Sequence, residues 1–156
     1  MIGILIIFHA VLGGLALISG TISLFAKKGK KTHKKSGLVF YFSMTSCAIS
    51  AMIIAVLPNH NNPFLFSIGI FSLYFVLTGK RALNFKKPKY DLRIDWFISI
   101  ITIITGVLMI VLPIITAKSI NIVLFVFGIM GIFFSVSDLQ LLSKPEKLKK
   151  EWLNLH

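Results

Sequence analysis

Acidic residues are scarce in this chain. Only five of its 156 residues are Asp or Glu, against 17 Lys and Arg, and charged residues make up 14% of the total. Soluble domains carry about 25% charged residues, so this composition is not that of an ordinary soluble domain. Cys47 is the only cysteine, which excludes an intrachain disulfide and a CxxC metal knuckle. The GxGxxG, GxSxG and HExxH signatures of nucleotide-binding proteins, serine hydrolases and zinc proteases are also missing.

Long apolar runs fill the space between the basic clusters, and 56% of the chain is hydrophobic. A helix needs roughly 20 apolar residues to cross a hydrocarbon core about 30 Å thick. Five runs meet this requirement, at about 2–26, 37–57, 64–83, 94–115 and 120–142. The sequence therefore predicts an all-α fold, a polytopic membrane helix bundle of about five transmembrane helices. Short turns at 58–63 and 116–119 favour antiparallel neighbours within this bundle, which we expect to form one domain over residues 1–142.

The tail at 143–156 differs from the spans. Ser143 and Glu146 have the spacing of a helix capping box, with Pro145 in the first turn. Leu148, Trp152 and Leu155 then recur at helical spacing between lysines. This pattern predicts a short amphipathic helix on the inner membrane surface.

The distribution of basic residues predicts the orientation in the membrane. All Lys and Arg except Lys118 fall in the first loop, the third loop or the C-terminal tail. The positive-inside rule places these segments in the cytoplasm, and five spans then place the N-terminus outside. We expect a multi-pass protein of the bacterial cytoplasmic membrane, with its C-terminus in the cytoplasm. This topology in the lipid bilayer explains the net charge of +12, so no nucleic-acid partner is needed. The basic loops should attract anionic lipid headgroups.

Polar and small residues follow one stripe in each span, as expected for helix faces that pack closely in a bundle. The stripes are His9, Gly13, Ala16, Gly20 and Ser23; Ser36, Ser43, Cys47 and Ser50; Ser67, Tyr74, Thr78 and Arg81; Asp95, Ser99, Thr102 and Gly106; and Asn121, Gly128, Gly131, Ser135 and Asp138.

The cytoplasmic ends of these stripes contain the candidate functional residues. Ionisable groups at the edge of the hydrocarbon are costly, so they are usually paired or functional. Two hypotheses are open here. The carboxylates and two imidazoles could hold a divalent metal with an open coordination position. Alternatively, the arginine could neutralise one aspartate in a structural ion pair, with the loop histidine solvated. The candidates are His33, Arg81, Asp95, Asp138 and His156.

His9 is a secondary candidate in the outer half of the first span. A pair of histidines can ligate haem, but no second histidine lies within a span, which disfavours haem. The preferred interpretation is a hydrogen bond from His9 to a facing serine or carbonyl.

The segment from His9 to Gly20, followed by a basic loop with His33 and Gly37, resembles the opening of a bacterial family of predicted membrane proteins of unknown function. The resemblance continues in Gly79-Lys-Arg81-Ala, Asp95-Trp96, Asp138-Leu139 and the final Trp152 and His156. It implies that the candidate residues are family positions, but it supplies no activity. Members of that family continue into a further hydrophobic segment, which implies that this chain is a short member or part of a longer protein.

Three functional hypotheses follow. The first is a membrane enzyme or ligand-binding protein that uses the cytoplasmic cluster, and the second is a non-catalytic accessory or assembly subunit that packs against itself or a membrane partner. The third, a small transporter, is disfavoured because the sequence shows no inverted repeat and no span broken by Pro and Gly.

Overall fold

The computed structural model of the chain describes residues 2–60, 62–85, 90–144 and 146–148. Its long elements are all α-helices: α1 (Ile2–Phe25), α2 (Lys31–Val56), α3 (Pro63–Ala82), α4 (Arg93–Ala117) and α5 (Ile122–Leu142). Each of the five is long and apolar enough to cross a membrane. The predicted all-α architecture is therefore confirmed. The largest difference from the predicted spans is in α2, which begins at Lys31 rather than at residue 37 and so includes much of the basic loop.

The chain divides into two compact units. Unit 1 contains residues 1–76, and unit 2 contains residues 77–156. The boundary falls within α3, so this helix contributes to both units.

In unit 1, α1 packs along α2, and small residues of α1 make this possible. A Cβ atom added to Gly20 would lie 3.0 Å from the ring of Phe40, and one added to Gly13 would lie 3.5 Å from the Cys47 sulfur. Positions early in α1 therefore meet positions late in α2, as in an antiparallel pair. Small residues allow membrane helices to approach in this way and gain dispersion contacts.

The turns at the helix ends follow from residues that favour them. Gly29 has a φ of 80°, a left-handed conformation that suits glycine, in the turn between α1 and α2. Asn62 and Asn121 each accept a hydrogen bond, at 3.1 Å, from the backbone N–H three residues later. Each asparagine therefore satisfies an N–H group that the first turn of α3 or α5 would otherwise leave unpaired.

In unit 2, α4 and α5 make the closest backbone approach that we find. A Cβ atom added to Gly106 would lie 2.8 Å from the carbonyl oxygen of Gly128, and one added to Gly128 would lie 2.7 Å from that of Gly106. This mutual contact fixes the register of the antiparallel pair. Positions two turns before Gly106 in α4 are level with positions two turns after Gly128 in α5.

Of the residues on the predicted apolar face of the tail, Leu148 is the one that the structure describes. This residue is only 4% exposed and packs with Ala82, Phe85 and Leu142 in an apolar cluster of unit 2. The Ser143 hydroxyl donates backwards to the Leu139 carbonyl at 2.8 Å, instead of capping a following helix. Leu148 is therefore covered by protein. Trp152, Leu155 and His156 lie outside the described residues.

Candidate functional site

Arg81 and Asp95 form a bidentate ion pair within unit 2. The Arg81 Nε donates to Asp95 Oδ1 at 2.8 Å, and its Nη2 donates to Asp95 Oδ2 at 2.9 Å. The Asp95 side chain is 3% exposed and that of Arg81 is 21% exposed. Two parallel charge-assisted bonds of this length hold both planar groups in a defined orientation.

The helix ends bring these two side chains together. Arg81 lies in the last turn of α3, and Asp95 lies in the first turn of α4. A carboxylate is favoured at a helix N-terminus because the unpaired N–H groups give that end a partial positive charge. The arginine neutralises the carboxylate from the other side, so a nearly fully buried aspartate has two sources of positive potential.

Tyr90 and Asp91 complete the surroundings of the arginine. The Arg81 Cζ lies 5.2 Å from the centre of the Tyr90 ring, a cation–π distance. Its Nη2 also donates to the Asp91 carbonyl at 3.3 Å. Burial raises the pKa of the Tyr90 hydroxyl above its ordinary value, and the Asp95 carboxylate acts in the same direction. Tyr90 is therefore neutral at physiological pH, and its ring covers the guanidinium.

Asp138 lies at the same end of the α4–α5 pair. Asp95 is eleven residues before Gly106, and the residue eleven after Gly128 is Leu139, next to Asp138. The Asp138 side chain is half-buried and has an interaction partner of its own. Arg81 nevertheless makes its two short bonds to Asp95 alone.

His33 is part of a helix, not a solvated loop residue as one prediction had it. It lies in the first turn of α2, within unit 1, and is half-buried. Its Nδ1 is 3.0 Å from the Ser23 carbonyl oxygen, so this nitrogen carries the proton and donates it. The bond ties the start of α2 to the end of α1.

His9 hydrogen-bonds to α2 as expected. Its Nδ1 lies 3.0 Å from the Cys47 carbonyl and 3.1 Å from the Ser50 hydroxyl, which itself donates to that carbonyl at 2.7 Å. The Cys47 sulfur is 3.5 Å from Nδ1 and 4.0 Å from Nε2. Since the two nitrogens of an imidazole lie about 2.2 Å apart, the sulfur cannot lie along either lone-pair direction. The thiol therefore packs beside the ring, without pointing at a coordinating nitrogen.

The described residues do not supply a metal site. Among them, no three His, Cys, Asp or Glu side chains are close enough to share a metal ion. His156 lies outside this part of the chain, and the other candidates contact different groups: Asp95 contacts Arg81, and His33 contacts Ser23. The donor set that the metal hypothesis requires is thus not assembled here.

Comparison with known proteins does not indicate a function for this chain. No protein-family profile, curated protein or solved structure matches the chain significantly. The resemblance based on His9, His33 and Arg81 therefore remains an expectation.

Sequence reasoning missed two parts of the site. Tyr90 and the Asp91 carbonyl contact Arg81, but they lie in a basic loop without periodicity, and nothing in the pattern separates them from their neighbours. The polar stripe of α4 predicted a buried helix face, and its residues Asp95, Ser99 and Thr102 are at most 3% exposed.

Proposed function

We propose that this protein is a non-catalytic accessory or assembly subunit of a membrane complex. The observation that carries the proposal is the Arg81–Asp95 pair. Both carboxylate oxygens accept bonds from the guanidinium, and the tyrosine ring covers its cation. A general base or an open metal ligand needs a lone pair that can reach substrate, whereas this carboxylate is 3% exposed.

An uncovered face of α1 supports the assembly role. Gly3, Ala10, Gly14 and Thr21 recur at spacings of seven, four and seven, which places them on one side of the helix, and all four are exposed. A Cβ atom added to Gly3 or Gly14 would meet nothing within 4 Å. Small residues at this spacing let a second membrane helix approach closely, so this face is where we expect a partner helix or a second copy to pack.

The number of chains in each assembly in native lipid tests this proposal. The chain would be extracted with its lipids in polymer-bounded discs, and the number of chains per disc counted by single-molecule photobleaching. We expect more than one chain, or one chain with a second protein at fixed stoichiometry, and we expect Gly14→Leu to return single, isolated chains. Ile104→Leu, at an exposed site of α4, is the control. Single isolated chains in the wild type would contradict the proposal.

Elemental analysis tests the competing hypothesis of a metal-dependent enzyme. Purified wild-type protein would be compared with the double variant His33→Ala, Asp138→Ala. An accessory subunit should contain no stoichiometric metal in either form. About one metal ion per chain, lost in the variant, would favour the enzyme instead.

The proposed orientation has the N-terminus outside and the basic loops in the cytoplasm of a bacterium. Lys28, in the turn between α1 and α2, and Ser119, in the turn between α4 and α5, are both exposed and provide a matched pair for labelling. In a Cys47→Ser background, Ser119→Cys should react with a membrane-impermeant maleimide in intact cells, and Lys28→Cys only after permeabilisation. The reverse pattern would contradict the orientation.

Anionic lipid is the partner that we propose for the first basic loop. Unit 1 contains no acidic residue, and its six lysines, all exposed, surround the turn between α1 and α2: Lys27, Lys28, Lys30, Lys31, Lys34 and Lys35. Each basic residue near an anionic surface contributes about 1 kcal/mol. Phosphatidylglycerol should therefore raise the Tm of the purified protein more than phosphatidylcholine does, and changing four of these lysines to Gln should abolish the difference. An equal response to both lipids would exclude the proposal.

A further inference from the structure

In unit 2, the buried hydroxyl of Tyr90 has no hydrogen-bond partner among the described residues, and the same is true of two fully buried hydroxyls of the α4–α5 pair. They belong to Ser99 in α4, which is 1% exposed, and Ser135 in α5, which is 0% exposed. A buried hydroxyl usually has a protein or water partner, because leaving it unpaired costs about 1–3 kcal/mol. Two such groups in one helix pair therefore require an explanation.

The two hydroxyls lie at the same level of the α4–α5 pair. Ser99 is seven residues before Gly106, and Ser135 is seven residues after Gly128. Seven residues are about two helical turns, so each serine is on the same face as its glycine. Because Gly106 and Gly128 contact each other in an antiparallel pair, both serines lie in the same layer of the interface.

Neither serine uses the bond that other hydroxyls in these helices use. Thr102, Thr105 and Ser137 each donate to the carbonyl four residues earlier, at 2.9 Å. The corresponding acceptors for Ser99 and Ser135 are the carbonyls of Asp95 and Gly131, and neither bond forms. Both hydroxyls are therefore buried without the backbone partner that the other hydroxyls of these helices have.

Asp95 supplies a third polar group beside them. It lies one turn before Ser99 on the same face of α4, a spacing that places Cβ atoms about 5–6 Å apart. Each of its carboxylate oxygens accepts one bond from Arg81 and retains a second lone pair. The charge of Asp95 is already balanced by Arg81, which favours a neutral ligand over a cation at this place.

We propose that Ser99, Ser135 and Asp95 form a binding site for one internal water molecule. The water accepts from one serine hydroxyl, donates to the other and donates to the carboxylate, which gives it the three bonds typical of buried water. Such a molecule gives each of the two serine hydroxyls a hydrogen-bond partner. It also links the Arg81–Asp95 ion pair to the polar groups in the α4–α5 interface. This site is independent of the proposed assembly role.

Water-edited solid-state NMR of the full chain in lipid bilayers tests this site directly. With serine Cβ carbons labelled, magnetisation should pass from water to Ser99 and Ser135 at short mixing times, despite their burial. Ser99→Ala should lower the transfer to Ser135, because the loss of one hydrogen bond lowers the binding constant of the water about fivefold. Ser99→Thr keeps the hydroxyl and should retain the transfer, and Ser137→Ala is the control on the exposed face.

Three outcomes would overturn the proposal. First, the wild type could show no transfer from water to either serine, which is the result expected if the two hydroxyls contact each other directly. This measurement needs no substitution, so misfolding of a variant cannot explain it. The transfer to Ser135 could be unchanged in Ser99→Ala. Finally, sodium could raise the Tm where choline does not, with the effect lost in Ser99→Ala, which would identify a cation site instead.

Discussion

The two units each contain an antiparallel helix pair, but the polar groups that join the helices differ. In unit 1, α1 and α2 are joined by hydrogen bonds from histidine side chains to backbone carbonyls, from His9 to that of Cys47 and from His33 to that of Ser23. Unit 2 contains all five acidic residues of the chain and has an ion pair between the partly buried Arg81 and the buried Asp95. The difference shows that composition limits which side chains can be buried, because a unit without carboxylates cannot neutralise a buried cation. The six lysines of unit 1 are exposed, as are the described lysines of unit 2, so Arg81 is the cation that sets the two units apart.

The largest expected effect is in unit 2. Arg81→Ala would leave Asp95 buried without its cation, and breaking such a pair costs about 3–5 kcal/mol. Because Arg81 is one-fifth exposed, we expect a loss near the lower limit, about 3 kcal/mol, in the free energy of unfolding in mixed micelles. Lys34→Ala, an exposed lysine of unit 1, should change it by less than about 0.5 kcal/mol. Equal effects would remove the distinction between the units.

The next effect concerns the close backbone contact between α4 and α5. Gly128→Ala would place a Cβ atom 2.7 Å from a backbone oxygen, which cannot move aside as a flexible side chain can. We expect the unfolding free energy to fall by about 1–3 kcal/mol. In unit 1, Gly14→Ala meets nothing within 4 Å and should be neutral or slightly stabilising. A neutral Gly128→Ala would show that the two helices do not approach this closely.

A smaller effect is expected in unit 1. His9→Ala removes a partly buried hydrogen bond to the Cys47 carbonyl of α2, which is worth about 1 kcal/mol. His60→Ala, at an exposed turn position, is the control. Nitrogen NMR should show the proton of His9 on Nδ1. A proton on Nε2 alone would contradict the assignment.

The smallest effect appears at high pH. Burial raises the pKa of Tyr90 in the folded state, so the unfolded chain releases this proton first. The stabilisation is complete below the unfolded pKa of about 10 and is lost as the pH rises through the folded pKa. The unfolding free energy should therefore fall between pH 9 and 11 more in the wild type than in Tyr90→Phe. This difference between the two proteins should be small and about the same at any salt concentration above 0.1 M. Identical pH profiles would show that the Tyr90 hydroxyl is not buried.

Much of the fold could be predicted from the sequence because membrane helices are long and their apolar runs are unambiguous. Four of the five observed helices begin and end within about two residues of the predicted spans. The exception is α2, since Lys31 to Ser36 are polar enough to suggest a loop, yet the bond from His33 to Ser23 fixes their first turn. Hydropathy measures where a segment can enter lipid, and it does not detect a helix that continues beyond its apolar run.

The candidate site was only partly predictable. The spacing of Asp95, Ser99 and Thr102 identified a buried face correctly, and the ion pair was one of two open hypotheses. The choice of Asp95 over Asp138 as the partner of Arg81 depends on how the last turn of α3 meets the first turn of α4. That geometry depends on the loop containing Tyr90, which has no sequence signature.

A double-mutant cycle between Arg81 and Asp95 tests the central claim most directly. The unfolding free energies of the wild type, Arg81→Ala, Asp95→Ala and the double variant would be measured with and without a metal chelator. We predict a favourable coupling free energy of at least about 1.5 kcal/mol, unchanged by the chelator, because the two side chains stabilise each other. Additive effects, or a coupling that disappears with the chelator, would contradict a structural ion pair and return Asp95 to the candidates for metal binding.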